Sequence, residues 1–160
     1  MSGEKKHWVF RAHVMDRAGA LTSIASAFSN EGISIDSIVG HGMEERAGLD
    51  GSVVLTCWCS EEEKDIMVRK VKRLSKVIDL SERPYSSKNL RKSAILQVTR
   101  VLAPKDVAGE RTFLTCEQVD EDEGLYTYLL AGAPKELDPV LDGLEAAGVV
   151  KDIVYSLAGL

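Results

Sequence analysis

The hydrophobic pattern changes its period repeatedly along the chain, and each change marks an element. Trp8, Phe10, Ala12 and Val14 alternate with His7, Val9, Arg11 and His13, a period of two that predicts a strand with one bulkier apolar face. Leu21, Ile24, Ala25 and Phe28 then follow the i, i+3, i+4, i+7 spacing of one helix face, with Gly32 as a left-handed stop. A strand around 33–41, a polar turn through Glu44, Glu45, Gly48 and Asp50, and a strand through Val53, Val54 and Leu55 read as a hairpin. Ser60 and Glu63 have the S-x-x-E form of a capping box, Ile66, Met67, Val71 and Leu74 continue as a helical stripe, and Val77, Ile78 and Leu80 return to a strand.

The order is β-α-β-β-α-β, in which two helices cover one face of a four-stranded antiparallel sheet. The uncovered face, to which Trp58 and the first strand contribute, calls for a second sheet or chain, so an oligomer is expected. Residues 83–92, RPYSSKNLRK, are polar and turn-prone, and predict a linker between domains at 5–82 and 93–160. The second half repeats the pattern. Ala94, Leu96 and Val98 alternate, and strands are expected around 113–119 and 125–130 across an acidic turn DEDEG. Leu137, Val140, Leu141 and Leu144 form a helical stripe ending near Gly148, and 149–157 give a last strand. Only LAPKDVAGE separates its first two strands, too little for a helix as long as 18–31. The expected fold class is α+β: tandem ferredoxin-like βαββαβ units, antiparallel sheets with helices on one face, the second unit with a shortened first helix.

Charge and cysteine content narrow the partners. With 25 acidic against 20 basic residues, the chain lacks the basic surface that displaces phosphate counterions, so no nucleic-acid partner is expected. Its apolar runs are strand-length, and the MSGEKK opening has no secretion-signal core, so no membrane partner and a cytoplasmic location are expected. Three cysteines fit a reducing compartment better than a disulfide framework. Cys57 and Cys59 lack further ligands at metal spacing, and His7, His13 and His41 show no triad spacing, so neither a metal nor a catalytic residue is expected.

The candidate chemistry lies at the corner between the first strand and helix. Asp16 is a plausible cap, and Gly19, Ala20 and Leu21 open the helix, where amides without intrahelical acceptors suit a carboxylate. Gly19 permits close approach, Asp16 or a carbonyl meets an ammonium, and Ile33 or Ile35 supplies an apolar wall. Together these describe an amino-acid site. Taken alone, D-x-x-G-A-L is equally well an ordinary cap and turn, Ser34 a polar residue at the start of a strand, and Ile35 a core residue.

D-R-A-G-A-L, the helix after it and G-I-S-I-D-S-I resemble an ACT domain. The resemblance to the small regulatory subunit of acetolactate synthase is closer, through VGHGMEERAGLDGSVVLTCWC, KRLSKVIDLSE, KSAILQVTRV and LYTYLLAGAPKELDPVLDGL. It implies a non-catalytic subunit that stimulates a thiamine-diphosphate-dependent catalytic partner and confers inhibition by a branched-chain amino acid such as valine. Thiamine diphosphate, magnesium and flavin are then expected on that partner and none on this chain, and the effector sites between paired domains of a homodimer. Carried over by position, the effector motif falls on Asp16, Gly19, Ala20, Leu21, Ser34 and Ile35. Family members usually carry asparagine at the position of Ser34 and often at that of Asp16, which leaves the effector's identity open. A stand-alone amino-acid sensor and a small enzyme using a histidine or cysteine are the rival readings.

Overall fold

The computed structural model describes residues 3–15, 17–42, 51–107 and 114–159. The chain divides into two compact units between Tyr85 and Ser86. The first contains β1 (Lys6–Val14), α1 (Arg17–Asn30), β2 (Ile35–His41), β3 (Gly51–Cys59), α2 (Glu61–Lys72) and β4 (Val77–Pro84). The second contains β5 (Arg91–Val98), α3 (Pro104–Val107), β6 (Thr115–Asp122), β7 (Leu125–Gly132), α4 (Pro134–Ala146) and β8 (Val150–Ala158). Their sheets are antiparallel, in the orders β2-β3-β1-β4 and β6-β7-β5-β8, so the second unit repeats the topology of the first.

In the first unit, alternation on β1 sends Trp8, Phe10, Ala12 and Val14 into one core. The helix stripe that meets them is Ala20, Ile24 and Phe28, with Leu21 and Ala25 half-buried, one position round from the expected stripe. Phe28 meets Phe10 edge to face at 5.3 Å. The capping box of α2 is formed: Ser60 Oγ accepts from the Glu63 amide at 3.2 Å, and Glu63 Oε2 accepts from the Ser60 amide at 2.7 Å. The buried face of α2 is Lys64, Met67 and Val71. Lys64 joins it by laying its stem inward, its ammonium 4.7 Å from the Trp8 ring centroid and 3.0 Å from Asp65. The expected turn through Glu44, Glu45, Gly48 and Asp50 lies outside the described residues.

The second core holds Ala94, Leu96 and Val98 of β5 against Leu137, Val140, Leu141 and Leu144 of α4. The shortened first helix is α3, a single turn. Asp106 ties it down, accepting from the Ala103 amide at 2.6 Å and pairing with both guanidinium nitrogens of Arg100 at 2.8 and 3.1 Å. The run DEDEG is mostly strand. Asp120, Glu121 and Asp122 belong to β6, and the reversal is Glu123–Gly124 with φ of 48° and 81°, the paired left-handed conformation of a tight hairpin. Every residue of this edge strand is exposed. The segment between the two sheets is likewise shorter than its composition suggests, since β4 runs to Pro84 and β5 begins at Arg91. Among the described residues, no helix is long and apolar enough to cross a membrane.

Candidate functional site

The expected site residues that the structure describes occupy two ends of one edge of the first unit. At the first end, α1 begins at Arg17, so Gly19 is in the first turn while the amides of Ala20 and Leu21 already point back at helical carbonyls. The Ala20 side chain is fully buried. Leu21 is half-buried, and its Cδ1 lies 3.9 Å from the place of a Cβ on Gly40, at the far end of β2. Lys76, in the connection from α2 to β4, places its ammonium in the space that a Cβ on Gly19 would need. Its backbone is fixed there by the Met15 amide, which donates to the Lys76 carbonyl at 3.0 Å. Asp16 lies outside the described residues.

The second end is where β2 starts. Ser34 and Ile35 line an open groove of about 440 Å3 with Ala25, Ser29, Gly32 and Ile33. Its exposed lining is more polar than apolar, with two serine hydroxyls and parts of Ala25 and Ile35, while Ile33 turns into the core. Gly32, at φ +70°, makes the turn that closes α1, and the Ile33 amide donates to the Phe28 carbonyl at 3.0 Å. At 1.5 Å per residue, α1 advances ~16 Å between Gly19 and Asn30. One amino acid therefore cannot reach both ends within a single unit.

Just beyond the groove, Ile35 pairs with Cys57 and Ser37 with Thr56, so Asp36 is an extra residue in a bulge. Its Oδ2 lies 2.8 Å from His7 Nε2. The His7 ring stacks on Trp58 at 4.4 Å and on Tyr85 at 3.9 Å, with interplanar angles of 10° and 23°. Ser37 and Thr56 hydroxyls meet at 2.8 Å beside this column.

The remaining candidates carry no comparable arrangement. Cys57 and Cys59 face the core with their sulfurs 4.0 Å apart. Cys57 donates this bond, which with burial pushes its thiol up, while accepting it draws Cys59 down. Among the described residues, no three His, Cys, Asp or Glu groups are placed to hold a metal.

Sequence reasoning missed Lys76 and Ser29. Lys76 is the last residue of the basic run from Arg69, which complements the C-terminal end of a helix that opens on the acidic run 61–65, so its charge had a sufficient local explanation. Ser29 falls one turn before the stop at Gly32, and only the turn that reverses the chain brings it beside Ser34.

No family model and no curated protein matches this sequence. Among solved structures, the acetolactate synthase small subunit from Thermotoga maritima is similar over 97% of this chain and 96% of that chain, with 15% identity and a TM-score of 0.73. The regulatory subunit of aspartate kinase from Thermus thermophilus, in its ligand-free form, is similar over 91% of this chain and 97% of that chain, with 14% identity and a TM-score of 0.47. The first likeness shows a shared tandem α+β fold along nearly the whole of both chains.

Proposed function

We propose that this chain is the regulatory subunit of an acetolactate synthase, stimulating a catalytic partner and conferring inhibition by a branched-chain amino acid such as valine. The observation that carries the reading is the tandem fold shared along nearly the whole of both chains with a small subunit of that enzyme. The separation of Gly19 from Ser34 is consistent with a site built by two copies. Pairing β2 antiparallel with β2 of a second copy sets the Gly19, Leu21 and Gly40 end of one opposite the Ser34 and Ile35 groove of the other. The helix opening and the Lys76 ammonium then suit the effector's carboxylate, and Ala25 and Ile35 in the groove its side chain. Asp16 is the proposed partner for the effector's ammonium.

Regulation follows from differential binding. An effector that favours one arrangement of the pair shifts its population, and the catalytic subunit senses the change through the surface it shares with this chain. Thiamine diphosphate, magnesium and flavin belong, in this reading, to that cytoplasmic partner. Measuring a catalytic subunit's rate with and without this chain, across valine, leucine and isoleucine, is the test. A rise in rate that one of these amino acids reverses is expected. No change in rate, with an amino acid still binding to this chain, would leave the stand-alone sensor as the function.

A further inference from the structure

The column Tyr85–His7–Trp58 stands on the sheet face opposite the helices, and only part of it is satisfied internally. His7 lies between the two other rings, whereas Trp58 remains 52% exposed. An exposed tryptophan braced by a stacked ring is held in place before any contact forms, so little side-chain freedom remains to be lost on binding. Asp36 stands beside it, 40% exposed, with one carboxylate oxygen on His7, which leaves the other oxygen for a second donor.

We infer that Trp58 and Asp36 form the docking point for the catalytic subunit, and that the partner supplies an arginine. This rests on the function proposed above. A guanidinium is planar, always charged and able to stack on an indole face while donating to a carboxylate, which is the complement this pair presents. Tryptophan and arginine are also the side chains that dominate binding energy at protein interfaces. The place has a further consequence. Asp36 is the bulged residue between Ile35 and Ser37, two positions from Ser34 in the effector groove. A ligand that shifts the start of β2 moves the carboxylate that grips the partner, which gives effector and partner a shared element through which each biases the other.

The test uses the full chain with an acetolactate synthase catalytic subunit, following stimulation as a function of this chain's concentration. Trp58→Ala is expected to raise the half-maximal concentration at least tenfold, while Trp58→Phe, which keeps a ring face, recovers most of the loss. Asp36→Asn is expected to raise it several-fold and to flatten its dependence on salt. Calorimetry on Trp58→Ala alone should give amino-acid affinity within twofold of wild type, and circular dichroism an unchanged fold. Wild-type stimulation by both Trp58→Ala and Asp36→Asn overturns the docking point and leaves the proposed function standing. So does a fall in the chain's own oligomeric mass on Trp58→Ala, which makes the patch a self-contact. Wild-type chain that neither binds nor stimulates the catalytic subunit overturns both.

Discussion

Gly19 and Lys76 show how one bare α-carbon and one long side chain divide a small space. The ammonium stands where any side chain at position 19 would go, so a ligand carboxylate arriving there meets a cation as well as helix amides. Lys76→Met keeps the stem and removes the charge, and should weaken effector binding about tenfold, the scale of one charge-assisted hydrogen bond; titration calorimetry reads this directly. Gly19→Asp would fill the approach and set a second carboxylate against that of the proposed effector, and calorimetry should show effector affinity falling further than with Lys76→Met. Gly19 was visible in the sequence only as one of two equal readings, a close approach for a ligand or an ordinary turn after a capping aspartate. Lys76 was not legible, because its neighbour in space is 57 positions away in sequence.

Elements whose signals are local were the most legible. Ser60 and Glu63 announced the start of α2, since both bonds of the box lie within three residues. Ser60→Ala should cost about 1–2 kcal/mol, seen as a lower urea midpoint at unchanged slope. The α1 stripe turned by one position because the sheet, and not the helix, decides which side chains it accepts. DEDEG read as a turn because charge density usually marks loops, yet an edge strand can carry charge along its whole length. The single turn α3 depends on Asp106, whose carboxyl is lowered to about 2 by its hydrogen bonds to Arg100 and to the Ala103 amide. A carboxyl lowered in the folded state contributes stability that is complete above its unfolded pKa, near 4, and lost as pH falls toward 2. Amide exchange at Ala103 should accelerate relative to its intrinsic rate over that window, and Asp106→Asn should remove the dependence.

At the scale of the molecule, the repeat of topology was readable from two rounds of the same hydrophobic pattern, but the distance between the site's halves was not. That distance is what makes β2 an expected seam. Gly40 tests it, since among the described residues a side chain there meets only Leu21 Cδ1, at 3.9 Å. Gly40→Asp should therefore leave the melting temperature nearly unchanged while weakening the dimer, as sedimentation velocity over a range of concentrations would show; an unaltered dimer would place the seam elsewhere. In the proposed dimer, the edge of the other sheet would keep the assembly from growing further. β6 holds the same topological position as β2, but it displays Glu117, Asp120, Glu121 and Asp122 along a fully exposed strand, so two such edges repel. Were both edges adhesive, each copy would bridge two others and the assembly would have no end. In the proposed dimer, one adhesive edge and one repelling edge would convert a duplicated fold, which would otherwise tend to polymerise, into a closed pair.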